Sequence, residues 1–277
     1  MSVDVGATAS AQTVSATTGA PADPASRPAS ALPRPGWHVA RVVAVASETP
    51  TARRIVLDVA GWPGNEAGQH LDLRLTAEDG YQATRSYSIA SHGASSRVEL
   101  AVDRVDDGEV SPFLVDDVMV GDELEVHGPL GGWFVWRPPT EPEPRPVQLI
   151  AGGSGVVPLV AMVRAHAEAG DPTPFRLLYA VRTPEDVFFR PELRAALDAD
   201  APFALTTVYS RRTPPGDDAA PGRLTRDRLG AAIVPAAAHP RIYVCGSTPF
   251  VEQVITWLGE LGYDTRGVRA ERFGGSA

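Results

Sequence analysis

The sequence predicts two parts in series: a six-stranded antiparallel β-barrel, then a doubly wound, mostly parallel α/β sheet. Three observations predict this. Between Trp37 and Val135, apolar and polar residues alternate in short runs broken by turn residues. Residues 137–146 then carry five prolines (Pro138, Pro139, Pro142, Pro144, Pro146) among charged residues, a stretch that joins neither sheet nor helix. From Val147 onward, apolar strands and amphipathic helices take turns. At 277 residues the chain is long enough to bury a core in each part. The expected boundaries are a tail over 1–35, a barrel over 36–136, a linker over 137–146 and an α/β domain over 147–277.

The tail is mostly Ala, Ser, Thr, Pro and Val. It cannot bury enough apolar surface to offset its ordering entropy, so it reads as disordered. It also lacks the basic stretch and apolar run of a signal peptide. Barrel strands are expected at Val39–Val45, Ala52–Val59, His70–Leu75, Arg85–Ala90, Val98–Val105 and Asp122–His127. Gly61-Trp62-Pro63-Gly64, Glu78-Asp79-Gly80 and Asp106-Asp107-Gly108 punctuate them. Ser111 to Val118 reads as a helical insertion. In the second part, strands are expected at Val147–Ala151, Phe175–Ala180, Phe203–Tyr209 and Arg241–Cys245. Helices are expected at Val156–Glu168, Pro191–Asp198, Arg226–Val234 and Pro249–Leu261. Arg211 to Gly222, with Pro214-Pro215-Gly216, reads as a surface loop.

Composition removes several classes. A net charge of −9 argues against nucleic acid or an anionic membrane as the main partner. No apolar run approaches membrane-spanning length. Cys245 is the only cysteine, which excludes a disulfide framework and a cluster held by four thiolates of this chain; it suits a reducing, cytoplasmic compartment. The six histidines (His38, His70, His92, His127, His166, His239) show no metal-ligand spacing, so no metal is expected. The oligomeric state is not legible.

Chemistry enters at Val147 to Pro158. An apolar strand empties into Gly152, Gly153, Ser154 and Gly155, and a helix follows with Pro158 in its first turn. Such a turn cradles a diphosphate: the glycines let backbone approach, and the helix start offers unpaired N–H groups and a positive dipole end. The plain alternative is glycine used only to turn. Two further segments frame it: Arg85-Ser86-Tyr87-Ser88 in the β region, and the strand Arg241 to Cys245, which runs into Cys245-Gly246.

Taken in order, Arg-x-Tyr-Ser, Gly-Gly-x-Gly-x-x-Pro, Cys-Gly and the terminal Glu271-Arg272-Phe273 resemble the ferredoxin–NADP reductase superfamily over roughly residues 37–273. The resemblance implies FAD on the barrel and NADPH, or NADH, on the α/β domain. Arg85 would pair with the flavin diphosphate in a fork, and Ser86 belongs to the same motif. Tyr87 would stack on the ring and reach the ribityl chain. Ser88 would address N5. Gly108-Glu109-Val110-Ser111 resembles the family's Gly-x-x-Ser turn under the diphosphate, with Ser111 both capping a helix and donating to phosphate. Val102 and Arg104 would contribute backbone beside the ribityl chain. Gly128-Pro129-Leu130-Gly131-Gly132 is assigned to packing.

On the nicotinamide side, Ser210-Arg211-Arg212 and Gly222-Arg223, with Arg182 at an adjacent strand tip, resemble a 2′-phosphate site and favour NADPH; the alternative is solvated loop arginines. Cys245 and Gly246 would set the approach of nicotinamide, with no covalent step. Phe273 would cover the flavin. Family members with a terminal tyrosine end there, whereas here residues follow Phe273. Glu271 would relay a proton or tune the flavin, its alternative being a surface carboxylate.

The implied activity is hydride transfer from NADPH to FAD, then release of single electrons to a separate acceptor such as a ferredoxin or other small one-electron carrier. Arg41, Arg53, Arg54 and Arg74 are the candidate basic patch for an acidic partner. The alternatives are a free-flavin or ferric-chelate reductase and, from another class, a non-catalytic nucleotide-binding subunit of a redox complex.

Overall fold

Alternation in the first half becomes curvature. In the computed structural model, β1 (Gly36–Thr49), β2 (Ala52–Val59), β3 (His70–Thr76), β4 (Gln82–Ser88), β5 (Arg97–Asp103) and β6 (Glu123–Leu130) form one six-stranded antiparallel sheet in the order β4-β3-β6-β1-β2-β5. Described are residues 36–141, 144–199, 202–217 and 219–274. The tail expected over 1–35, Pro142 of the proline-rich stretch and Gly275 after the terminal motif lie outside them. The edge strands β4 and β5 meet at the bridge Ile89–Leu100, so the sheet curls into a barrel that stays open beyond that point. β1 is longer than its apolar run predicts because its two halves serve different neighbours. Gly36–Arg41 pairs with β6 and Ala40–Thr49 with β2, with register shifts at Val42/Ala44 and Ser47/Thr49 that bend it. Ile55, Leu57, Leu71, Leu73, Leu100 and Val126 fill the interior, joined by Leu114 of the wide helical turn Phe113–Asp117 and by Val118 just after it.

The second half holds β7 (Val147–Gly152), α1 (Val157–Ala169), β8 (Phe175–Val181), α2 (Arg190–Asp198), β9 (Phe203–Tyr209), α3 (Arg226–Ala232), β10 (Arg241–Ser247), α4 (Thr248–Glu260) and β11 (Arg269–Phe273). The five parallel strands run in the order β11-β10-β7-β8-β9. The three central strands, β10, β7 and β8, are mostly apolar because both of their faces are covered. Val147, Leu149 and Ala151 face α1 and α2, while Ile150 faces α3 and α4. β11 was not expected as a strand. Its Arg-Ala-Glu-Arg-Phe sequence carries no apolar signature, and parallel pairing with β10 is what extends it.

Barrel and sheet share a core: Ala52, Ala67, Ala90, Phe134 and Trp136 pack with Leu159, Met162 and Phe175. Beside it lies a charged seam. Arg164 of α1 donates to Glu99 of β5 at 2.8 Å, to Glu192 of α2 at 2.5 Å and to the carbonyl of Ala90 at 2.9 Å. Arg54 of β2 binds Glu48 and Glu192. Both guanidiniums lie over the ring of buried Phe189, at 4.7 and 5.2 Å. Removing one member strands the others in a partly dry site. Arg164→Ala is therefore expected to cost about 2 kcal/mol, read as a lower urea midpoint at unchanged slope. An unchanged midpoint would mean the seam contributes no stability.

Candidate functional site

The carboxyl ends of the parallel strands form one wall of the site. β7 runs into a single tight turn, Gly153–Val156, and then α1, with Pro158 in its first turn. The glycines divide by role. At Gly153, φ is +55° and a Cβ would meet nothing within 4 Å, so this position looks onto open space. At Gly155, a Cβ would stand 2.4 Å from the carbonyl oxygen of Cys245 and 2.7 Å from the nitrogen of Gly246. Gly155 is thus where the turn lies against β10. Gly152 and Gly246 leave room for the Phe250 ring, which a Cβ would approach to 2.9 and 2.7 Å. Ser154 is half-buried beside Gly153, and its carbonyl accepts from Val157 N–H.

A second feature joins this wall to the barrel. β11 places Glu271 opposite Cys245, and Glu271 Oε1 lies 3.4 Å from His70 Nδ1 on β3. His70 in turn stands opposite Ser88 of β4. Ser88, His70, Glu271 and Cys245 therefore follow one another across the junction. The hydrogen bond to Glu271 raises His70 above its ordinary value against the opposing effect of burial, with the charges of Glu271 and Asp72 adding to it. Burial pushes the Cys245 thiol well above its usual range, and the Glu271 carboxylate adds to this, so the thiol stays protonated. Glu271 is partly buried, its side chain 21% exposed. Phe273 ends β11 opposite Ser247 and is 39% exposed.

On the barrel, strand alternation splits the Arg-Ser-Tyr-Ser run. Arg85 and Tyr87 share a face with buried Ala83, and Ser86 and Ser88 share the other with Asp72 and His70 across the pair. Ser86 donates to Asp72 at 2.6 Å. The half-buried Tyr87 hydroxyl has no hydrogen-bond partner among the described residues, and burial raises its pKa. Arg85 is held by Glu109, whose other oxygen accepts from Tyr81 Oη at 2.7 Å. A ligand touching both Tyr87 and Ser88 must lie along the strand edge, where β4 and β5 part.

One expectation around this edge needs correction, and the structure adds detail to the others. Ser111 caps no helix: it is buried, and its Oγ accepts from Val105 N–H at 3.1 Å, leaving its own proton to donate. Val102 and Val110 bury their side chains in the barrel core, so only backbone remains there. Arg104 N–H is bonded to Thr51 O at 2.9 Å, and its guanidinium is held by Asp106 and Asp116. Gly108 stands in a turn so tight that a Cβ would meet Ser111 Oγ and Val105 O at 2.9 Å. Two members of the expected basic patch, Arg54 and Arg74, are paired with carboxylates, while Arg41 and Arg53 have none among the described residues. Alternation along β2 sends Arg53 to the carbonyls of Val115 and Val118 and Arg54 into the charged seam, while Arg74 is forked to Glu125.

At the far end of the sheet, backbone hydrogen bonds join the segments that carry the loop arginines. Ser210 N–H bonds Val181 O, Arg211 N–H bonds Arg182 O, and Gly222 N–H returns to Tyr209 O, which carries Arg223 to the tip of β9. Arg212 is paired with Glu185. Sequence reasoning missed His70 and Glu109. Both sit in segments it had placed, but their partners lie 201 and 24 residues away.

These surfaces fit the two groups that the resemblance implies. The open bay at Gly153 suits a diphosphate, and the unpartnered Tyr87 hydroxyl with the Arg85 fork suits a flavin along β4. Among the described residues no three His, Cys, Asp or Glu side chains gather as a metal site, and no helix is long and apolar enough to cross a membrane.

Comparison with known proteins agrees with this division. Residues 56–135 match the family profile of the oxidoreductase FAD-binding domain, and residues 149–255 that of the oxidoreductase NAD-binding domain. Ferredoxin–NADP reductase B of Sorangium cellulosum is 33% identical over 244 residues, spanning 84% of this chain and 96% of that one. The glycine betaine monooxygenase reductase subunit of Chromohalobacter salexigens is 32% identical over 86% of this chain, which spans 65% of that relative's length. Among solved structures, the flavohem-like FAD/NAD-binding domain of nitric oxide dioxygenase from Vibrio cholerae superposes with a TM-score of 0.74 at 25% identity, covering 86% of this chain and 99% of the other. With both halves matched in order by the FAD-binding and NAD-binding profiles and a 33%-identical relative covered over 96% of its length, the chain belongs to the ferredoxin–NADP reductase superfamily and is an FAD-dependent NAD(P)H oxidoreductase.

Proposed function

We propose that the protein takes hydride from NADPH, in preference to NADH, onto FAD and passes single electrons to a separate small carrier such as a ferredoxin. In this reading residues 36–136 form the flavin half and 147–277 the nicotinamide half. The observation that supports it is the run Ser88–His70–Glu271–Cys245, which brings the end of β4 and the Cys-Gly strand end to one junction. The relatives named reductase components of oxygenase systems support a separate acceptor.

When bound, FAD supplies a ring that accepts a hydride and releases electrons one at a time. The chain supplies placement and charge. Arg85 leaves Glu109 for the flavin diphosphate, and the Ser111 hydroxyl offers a further donor. Tyr87 packs against the ring, and Ser88 holds its hydroxyl at the hydride-accepting edge. Gly153, Ser154 and the start of α1 take the dinucleotide diphosphate. Arg182, Ser210, Arg211 and Arg223 take the 2′-phosphate. Cys245 and Gly246, without bulk or charge, form the floor under nicotinamide, and Phe273 covers that place until it arrives. Glu271 favours the protonated form of His70 beside Ser88.

The deciding experiment is the visible spectrum of the purified protein, followed by anaerobic titration with each nicotinamide. Yellow protein bleached at lower NADPH than NADH is expected. Colourless protein that turns over added flavin would instead make it a free-flavin reductase, and no oxidation of NAD(P)H with ferricyanide would remove the activity.

The His70–Glu271 pair gives a pH test. His70 is raised in the fold, so its stabilisation is complete below its unfolded pKa and fades as pH rises through the folded value. The stability difference between wild type and His70→Asn is therefore expected to be largest at acid pH and to vanish at alkaline pH. In Glu271→Gln the His70 NMR titration should move to lower pH. An unmoved titration would mean the two side chains are not paired in solution.

A further inference from the structure

The edge of the parallel sheet away from the nucleotide carries a feature that hydride transfer does not use. Arg269 and Arg241 are the first residues of β11 and β10, and Arg145 stands two residues ahead of β7. These three strands are neighbours in the sheet. With Trp133, His239 and Tyr263, the arginines line a cavity of about 570 Å³, a volume usual for small-molecule sites. The nucleotide end lies elsewhere: Arg241 to Gly246 spans about 17 Å of strand.

Charge in the cavity is unbalanced. Its acidic lining residue, Asp264, is forked to Arg266 at 2.9 and 3.1 Å. Glu141, outside the lining, pairs with Arg241 at 2.6 Å. Arg269 has no carboxylate partner among the described residues. Its Nη1 donates to Val135 O at 2.6 Å and to Tyr243 Oη at 3.2 Å, and its other two nitrogens have no acceptor there. The guanidinium is held over the rings of Trp133, at 5.0 Å, and Tyr243, at 5.4 Å. Trp133 is itself 61% exposed. A half-buried guanidinium fixed on two rings and left short of acceptors is preorganised for an anion.

We propose that this cavity is a second ligand site, for a small organic anion carrying two or more carboxylates. Arg269 stands level with Tyr243, Arg241 two residues before it, and Arg145 two residues before Val147, the partner of Arg241. The arginines therefore step diagonally, roughly 8 Å apart at the backbone, a row that several carboxylates on one molecule can follow. The exposed indole closes one side over the ligand's carbon frame. The site is independent of the flavin–nicotinamide reading and would stand if that reading failed.

The probe is citrate, titrated into the full chain at constant ionic strength and followed by tryptophan fluorescence and thermal denaturation. A saturable fluorescence change with a rise in Tm is expected, and acetate or sodium chloride at the same ionic strength should give neither. Trp133→Phe should remove the fluorescence change and keep the rise in Tm. Arg269→Ala should weaken citrate at least about tenfold, and so should Arg145→Ala, which removes an exposed side chain with no hydrogen bond to the described residues. NADPH-dependent ferricyanide reduction should be unchanged in Arg145→Ala. A response that fails to saturate, unaltered citrate affinity in Arg145→Ala with Arg241→Ala, or tighter binding of inorganic phosphate than of citrate would overturn the proposal.

Discussion

Replacing Gly155 by alanine is expected to cost about 3 kcal/mol and to weaken NADPH at least about tenfold. The added carbon would fall 2.4 Å from Cys245 O, 2.5 Å from Cys245 C and 2.7 Å from Gly246 N. All three are backbone atoms of a central strand paired on both sides, so no side chain can swing away to relieve the overlap. The turn must lift from β10, which moves both the diphosphate cradle and the Cys-Gly floor. Gly153→Ala is the matched control. Its Cβ meets open space, and its penalty is the left-handed backbone alone, about 1 kcal/mol. Gly153→Ala should therefore keep most of the stability while crowding the bay. Urea midpoints and NADPH titrations of the two variants check this, and equal midpoints would refute the packing assignment.

Arg85→Ala is expected to weaken FAD about 100-fold, the equivalent of about 2.7 kcal/mol for a lost charge-assisted fork. Lysine should recover part of this, because it restores the charge and not the two parallel donors. The opposite change is expected at Glu109. This exposed carboxylate holds Arg85 where the flavin diphosphate would bind, so Glu109→Gln should tighten FAD a few-fold, the scale of an exposed ion pair. Fluorescence titration of flavin into the cofactor-free protein measures all three. Wild-type affinity in Arg85→Ala would remove Arg85 from the flavin site.

Legibility followed the range of the interactions. β2 was expected over Ala52–Val59 and is found there, because each alternate residue faces the barrel core. The Gly-rich turn was equally plain, but the separate duties of its glycines were not. That Gly155 packs and Gly153 faces open space depends on β10, which begins 86 residues later in the chain. The arginine patch was legible only in part, for a related reason. Arg53, Arg54 and Arg74 look free in sequence, but each meets carbonyls or carboxylates brought from elsewhere.

By itself the sequence determined the class of fold, the order of its halves, the glycine-rich turn after β7 and the absence of thiolates for a cluster. All of these rest on local periodicity, turn chemistry or composition. Only the tertiary structure decided that β11 is a strand, that His70 joins Ser88 to Glu271, that Glu109 holds Arg85, and that three strand-start arginines share a cavity. The reason is physical: these are pairings across strands, set by backbone hydrogen bonds and register between distant segments, and no local pattern encodes which side chain will stand opposite which.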